Sequence, residues 1–209
     1  MIRPLLLGCV LLTAVPALAQ TPAALPEGRF TDYAGRSTEL MLGLPGPTLT
    51  AGTRSVAELA AEFKRLCVDT ALDEAAFDAA VAASSFGWKA DPFVYTFGRK
   101  GELSLDFGGW KTGDVGVRLI DFGKSFMRGL QCNLTAVITT PADRAAVVGA
   151  VAALAGIDAA DPANAKQIKR GTFELPTAAG SLLLAGHAFT DGTSRQIIHL
   201  GALQRPAKK

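Results

Sequence analysis

The chain has 209 residues, with 21 Lys plus Arg against 19 Asp plus Glu and a formal net charge of +2 at pH 7. That near balance gives no bulk charge with which to recruit nucleic acid or an acidic membrane surface. Hydrophobic residues make up 49% and aromatics only 7%, which suits one domain with an aliphatic core that buries roughly 70% of its unfolded surface.

Residues 1–19 read as a signal peptide. Arg3 is a short positive region, Leu5 to Val15 is an apolar run, and Ala17-Leu18-Ala19 is an A-x-A site with cleavage expected after Ala19. The run is too short to span a bilayer core of about 30 Å, and Pro4 and Pro16 bracket it. Leu7-Gly8-Cys9 resembles a lipobox but leaves too little sequence ahead of the cysteine for the regions such a signal needs. No later segment is long enough to cross a membrane, so we expect a periplasmic or secreted protein with no membrane span after cleavage. Of the three cysteines, Cys9 leaves with the signal. Cys67 and Cys132 remain, and in an oxidising compartment they are expected to form one disulfide. A thiolate or metal pair is disfavoured because neither cysteine lies in a CxxC motif or near a histidine in sequence.

Residues 20–52 are rich in Pro, Gly and Thr, and read as extended chain lying over the domain, with a short strand somewhere in Ser37–Leu44. A single α+β domain is expected over 53–204. Ser55-Val56-Ala57-Glu58 fits a capping box. Val56, Leu59, Ala60, Phe63, Leu66 and Cys67 form an apolar stripe behind it, with Glu58, Glu62, Lys64 and Arg65 on the wet side. A second helix is expected from Asp73, its cap, to Ser84, and Gly87 ends the pattern. Strands follow over Pro92–Phe97, Glu102–Phe107 and Val115–Asp121, with turns at Gly98–Gly101 and Phe122–Gly129 and a loop at Gly108–Gly113. Leu130, Cys132, Leu134, Ala136 and Ile138 alternate with Gln131, Asn133 and Thr135, which predicts a strand with Cys132 inward and the polar parity outward.

Thr140-Pro141-Ala142-Asp143 reads as a helix start with Thr140 as the cap and Pro141 at the first position. Gly156 ends that helix. A shorter one runs from Asp161-Pro162 to Gly171. Thr172–Leu175 is a short strand, and Ser181–Phe189 and Arg195–Leu203 form a hairpin around Thr190–Ser194. Residues 205–209 are a basic tail. The expected fold is α+β: a largely antiparallel sheet of about six strands with helices packed against it, its two halves each running helix pair then hairpin. No residue-level repeat accompanies that order.

Motifs for catalysis are scarce. There is no G-x-S-x-G. Gly123-Lys124-Ser125 lacks the glycine a phosphate loop needs at position 118, where Arg118 stands. Asp106, Asp114 and Asp121 come from neighbouring strands, where charges most often solvate a sheet. His187 and His199 lie in the last hairpin. If Phe189 pairs with Arg195 they are diagonal on one face, and a slip by one residue separates them. Zinc needs three or four ligands, and none joins them in sequence, so we assign no metal and no cofactor. Asn133-Leu134-Thr135 is a glycosylation sequon expected to go unused.

Trp88 and Trp110 follow glycines in what read as loops. They are the candidate binding residues, since loop aromatics suit a contact surface. The competing role is that of lids over the core edge. The sequence therefore describes an exported, non-catalytic binding or envelope-accessory module with a protein or small-molecule partner in the cell envelope. A secreted hydrolase with a site assembled from dispersed residues is the alternative.

Overall fold

The computed structural model describes residues 30–31, 37–38, 49–97, 103–121, 130–190 and 196–206. The expected signal peptide, the Cys9 lipobox, the Gly98–Gly101 and Phe122–Gly129 turns, Gly123-Lys124-Ser125 and the last residues of the basic tail lie wholly or largely outside them. Strands β1 (Phe30–Thr31) and β2 (Ser37–Thr38) pair antiparallel. The rest of the expected Ser37–Leu44 strand lies outside the described residues.

Helix α1 (Val56–Phe63) starts at the capping box. The Ser55 hydroxyl accepts from the Glu58 N–H, and the Glu58 carboxylate accepts from the Ser55 N–H. The helix then widens into a π turn over Lys64–Val68, closed by Asp69 N–H to Lys64 C=O. Ala71 and Leu72 take left-handed conformations (φ 50° and 63°) to reverse the chain. That conformation costs a non-glycine residue about 1–2 kcal/mol. Burying the Leu72 side chain completely returns roughly 2 kcal/mol, which offsets the cost at that residue. Helix α2 (Glu74–Ala82) is capped by Asp73, whose side chain accepts from Ala76 N–H.

The main sheet contains β3 (Lys89–Ala90), β4 (Phe93–Phe97), β5 (Leu103–Lys111), β6 (Val115–Asp121), β7 (Leu130–Ile138), β8 (Thr172–Thr177), β9 (Gly180–Thr190) and β10 (Gln196–Pro206). Its order is β3-β5-β6-β7-β10-β9-β8, with β4 also on β5, and every pairing is antiparallel. Helices α3 (Arg144–Leu154) and α4 (Ala165–Arg170) fall between β7 and β8. The class is α+β, as expected. Each helix pair precedes a three-strand meander, β5-β6-β7 or β8-β9-β10, and the meanders join edge to edge at β7–β10. Pro176 lies in the edge strand β8, where its missing N–H breaks no central ladder.

One face of the sheet meets the helices. Leu59, Phe63 and Phe77 from α1 and α2, and Val147, Val148 and Val151 from α3, pack on Val117, Cys132, Leu134, Leu184 and Leu200. Cys67 and Cys132 are bonded across this core, with Cα atoms 5.7 Å apart and both residues fully buried.

The structure corrects several sequence expectations. Asp143, not Thr140, caps α3: its carboxylate accepts from Ala146 N–H, while the Thr140 hydroxyl donates to Thr53 C=O. A carboxylate at the positive helix end outcompetes a hydroxyl that has a distant partner. β5 continues through Gly108 and Gly109 to Lys111, so Trp110 is a strand residue and not a loop residue. The second face of the sheet is also buried at its centre. Ile120, Val137, Leu183 and Ile197 are covered there, and with them Gln131, Asn133 and His199, each 6% exposed. Gln131 and Asn133 of β7 thus do not face water. Gln131 Nε2 donates to Asn133 Oδ1 across 3.0 Å, which satisfies part of the group, while Asn133 Nδ2 has no hydrogen-bond partner among the described residues. At the end of this face, Leu49 packs on Val137 and Ile197. The Asn133 sequon is closed to a glycan by the same burial.

Candidate functional site

Trp88 and Trp110, far apart in sequence, line one open groove of about 560 Å³. Asp78, Val81 and Ala82 of α2 form one wall, Ser84 and Gly87 the rim after the helix, and Ala90 the strand side. The helical period places Asp78, Val81 and Ala82 together. Ala90 stands opposite Trp110 in the β3–β5 ladder, so the two share a face. Trp110 is half-buried and packs on Phe77 of α2, with ring centroids 5.1 Å apart and planes at 55°.

Trp88 is held from behind. Its indole Nε1 donates to Glu62 Oε1 at 2.8 Å. The same carboxylate accepts from Ser84 Oγ at 2.7 Å and from Arg65 Nη2 and Nε at 2.6 and 3.0 Å. Arg65, in the π turn after α1, also donates to Ala80 C=O, which ties that turn to α2. Ser84 Oγ accepts from Phe86 N–H, and Gly87 (φ 72°) then reverses the chain to bring Trp88 over the groove. Phe86 stacks on Trp88 (5.7 Å, 20°), and the Arg54 guanidinium caps Phe86 at 4.0 Å while pairing with Asp114.

Glu62 was expected on the wet side of α1, yet it is only 6% exposed. Burial alone would raise its pKa, but the hydrogen bonds from Arg65, Ser84 and Trp88 outweigh that and leave it lowered. The sequence carried one sign of this: Glu62 falls three residues after Leu59 and four before Leu66, at the edge of the apolar stripe.

The other singled-out residues do not converge on the groove. His187 and His199 are directly opposite in the β9–β10 ladder, because Phe189 pairs with Ile197 and not with Arg195. They therefore share a face as adjacent neighbours, not diagonally. His199 Nδ1 is 3.1 Å from Thr135 Oγ1. Burial, with a smaller contribution from His187, lowers the His199 pKa to about 3, and burial with Arg144 lowers that of His187. Among the described residues, no cluster of three or more His, Cys, Asp or Glu forms. Asp114 is bound by Arg54 and by Thr112 Oγ1, and Asp121 lies at the far end of β6. The Asp106 side chain is outside the described set. Among the described residues, no helix is long and apolar enough to cross a membrane. No protein-family model, curated protein or solved structure matches the chain.

Proposed function

We propose that this is an exported, non-catalytic binding module of the cell envelope, and that the groove between Trp88 and Trp110 is where its partner or ligand sits. The observation that carries this reading is the convergence of the chain's two tryptophans on one open concavity, one of them held in place by a buried hydrogen-bond network. Indoles supply large contact area at low entropic cost, which is why they anchor binding surfaces. Supporting the location are the signal-like residues 1–19 and the Cys67–Cys132 bond, which persists in an oxidising compartment.

The test is capture. Mature protein immobilised at its C-terminus is exposed to envelope extract, and bound proteins and small molecules are identified by mass spectrometry. The expected result is an enriched species that is lost when Trp110→Phe replaces the wild-type protein. Equal recovery on both, or no enrichment, refutes the reading.

A further inference from the structure

We propose that the groove takes a small organic cation bearing an alkylammonium or quaternary ammonium group. This rests on the binding reading above and names its ligand class. The chemistry follows from which polar groups in the groove still have capacity. The indole N–H of Trp88 is committed to Glu62, so Trp88 offers a ring and not a donor. The Ser84 hydroxyl donates to Glu62 and accepts from Phe86, so it too is engaged. Asp78 is exposed, and no described residue forms a hydrogen bond or ion pair with its carboxylate.

No Lys, Arg or His is among the described residues that line the groove. Of the nearby cations, Arg65 is held by Glu62 and Ala80 C=O, Arg54 by Asp114 and the Phe86 ring, and Lys111 by Asp91, while the exposed Lys89 falls on the strand face opposite to Ala90. What the groove presents is therefore two indole surfaces and one unpaired negative charge. An indole face attracts a cation through its quadrupole, and a carboxylate at the rim adds a Coulombic component. An anion would meet repulsion and no uncommitted cationic side chain among the described lining residues. A saccharide would find ring faces to stack on but a single side-chain acceptor for its hydroxyls.

Both tryptophans of the chain lie on the groove, so intrinsic fluorescence reports on it directly. The mature protein is titrated with choline chloride, with sodium chloride at equal ionic strength and glucose as comparisons. The expected result is a saturable change with choline only, weakened about two- to fivefold in Asp78→Asn and weakened again in Trp110→Phe. Asp78 is exposed, so its substitution leaves the fold intact. A choline response matched by sodium chloride, a response unchanged in Asp78→Asn, or saturation by glucose in place of choline overturns the proposal. If choline is silent while envelope capture still depends on Trp110, the cation proposal fails alone. If both are negative, the groove reading fails with it.

Discussion

The indole nitrogen of Trp88 donates to the buried carboxylate of Glu62 across 2.8 Å. This bond links the interior of α1 to the wall of the groove. The carboxylate also gathers Arg65 and Ser84, so one side chain fixes the α1–α2 packing and the position of an aromatic on the surface.

Removing that side chain is expected to be costly. Glu62→Ala strands the indole N–H, the Ser84 hydroxyl and a half-buried guanidinium, and should destabilise by about 2–3 kcal/mol in urea unfolding. Glu62→Gln keeps one acceptor oxygen for the indole and should cost about 1 kcal/mol. Because the folded pKa of Glu62 lies below its ordinary value of 4.5, its contribution is present above that value. It is lost as pH falls through the folded pKa. Glu62→Gln should therefore flatten the acid limb of the stability profile below about pH 4.5. An unchanged limb would show that the carboxylate's charge is not held by the fold.

His199 predicts a separate acid sensitivity at milder pH. Above about 6.5 the imidazole is neutral in both states and contributes no pH dependence. Below that the unfolded chain takes up a proton that the buried residue refuses until about pH 3. Stability should fall as pH drops through this window, with a slope of up to about 1.4 kcal/mol per pH unit. His187, lowered by its burial and by Arg144, acts in the same direction. Urea midpoints between pH 6.5 and 4.5, above the range of most carboxylates, should show the slope. His199→Gln should reduce it, and equal slopes in the two proteins would contradict the assignment.

The Cys67–Cys132 bond closes a sequence separation of 65 residues. In the chain-entropy account a loop of that size stabilises by about 4 kcal/mol. Cys132→Ser should accordingly lower the melting temperature by about 10 °C. Non-reducing peptide mapping should recover the linked peptide from the wild type. Two free thiols in protein taken from an oxidising compartment would refute the pairing.

Gly186 lets α3 pack closely on β9. A Cβ there would stand 2.8 Å from Val151 Cγ2, 3.0 Å from Val147 Cγ1 and 3.2 Å from Val147 C=O. The last neighbour is backbone, so rotamer changes alone do not relieve it and the helix itself must shift. Gly186→Ala should cost about 1–3 kcal/mol, read as a lowered urea midpoint with an unchanged m-value. A neutral substitution would mean that the helix sits less tightly on the sheet.

Local signals carried much of this protein. The Ser55 capping box, the Asp73 cap, the glycines that end α3 and α4, and the alternation in β7 act over a few residues. Their physics is complete within the segment, so the helices, most strand positions and, through the alternation of β7 and the stripe of α1, the inward aim of Cys132 and Cys67 were legible in the sequence. Other features depended on what the segment meets. Alternation located two faces in β7, but only the assembled sheet buried Gln131 and Asn133 on the second. Hairpin register turns on loop geometry, and a shift of the pairing set His187 directly against His199. Thr140 lost the α3 cap to Asp143 because its hydroxyl found Thr53 across the fold. The groove belongs to this second group. The sequence marked Trp88 and Trp110 singly, as aromatics beside glycines. Their convergence required the Phe77–Trp110 contact and the bond to Glu62, both between elements distant in the chain, and no pattern confined to one helix or strand encodes a meeting of that kind.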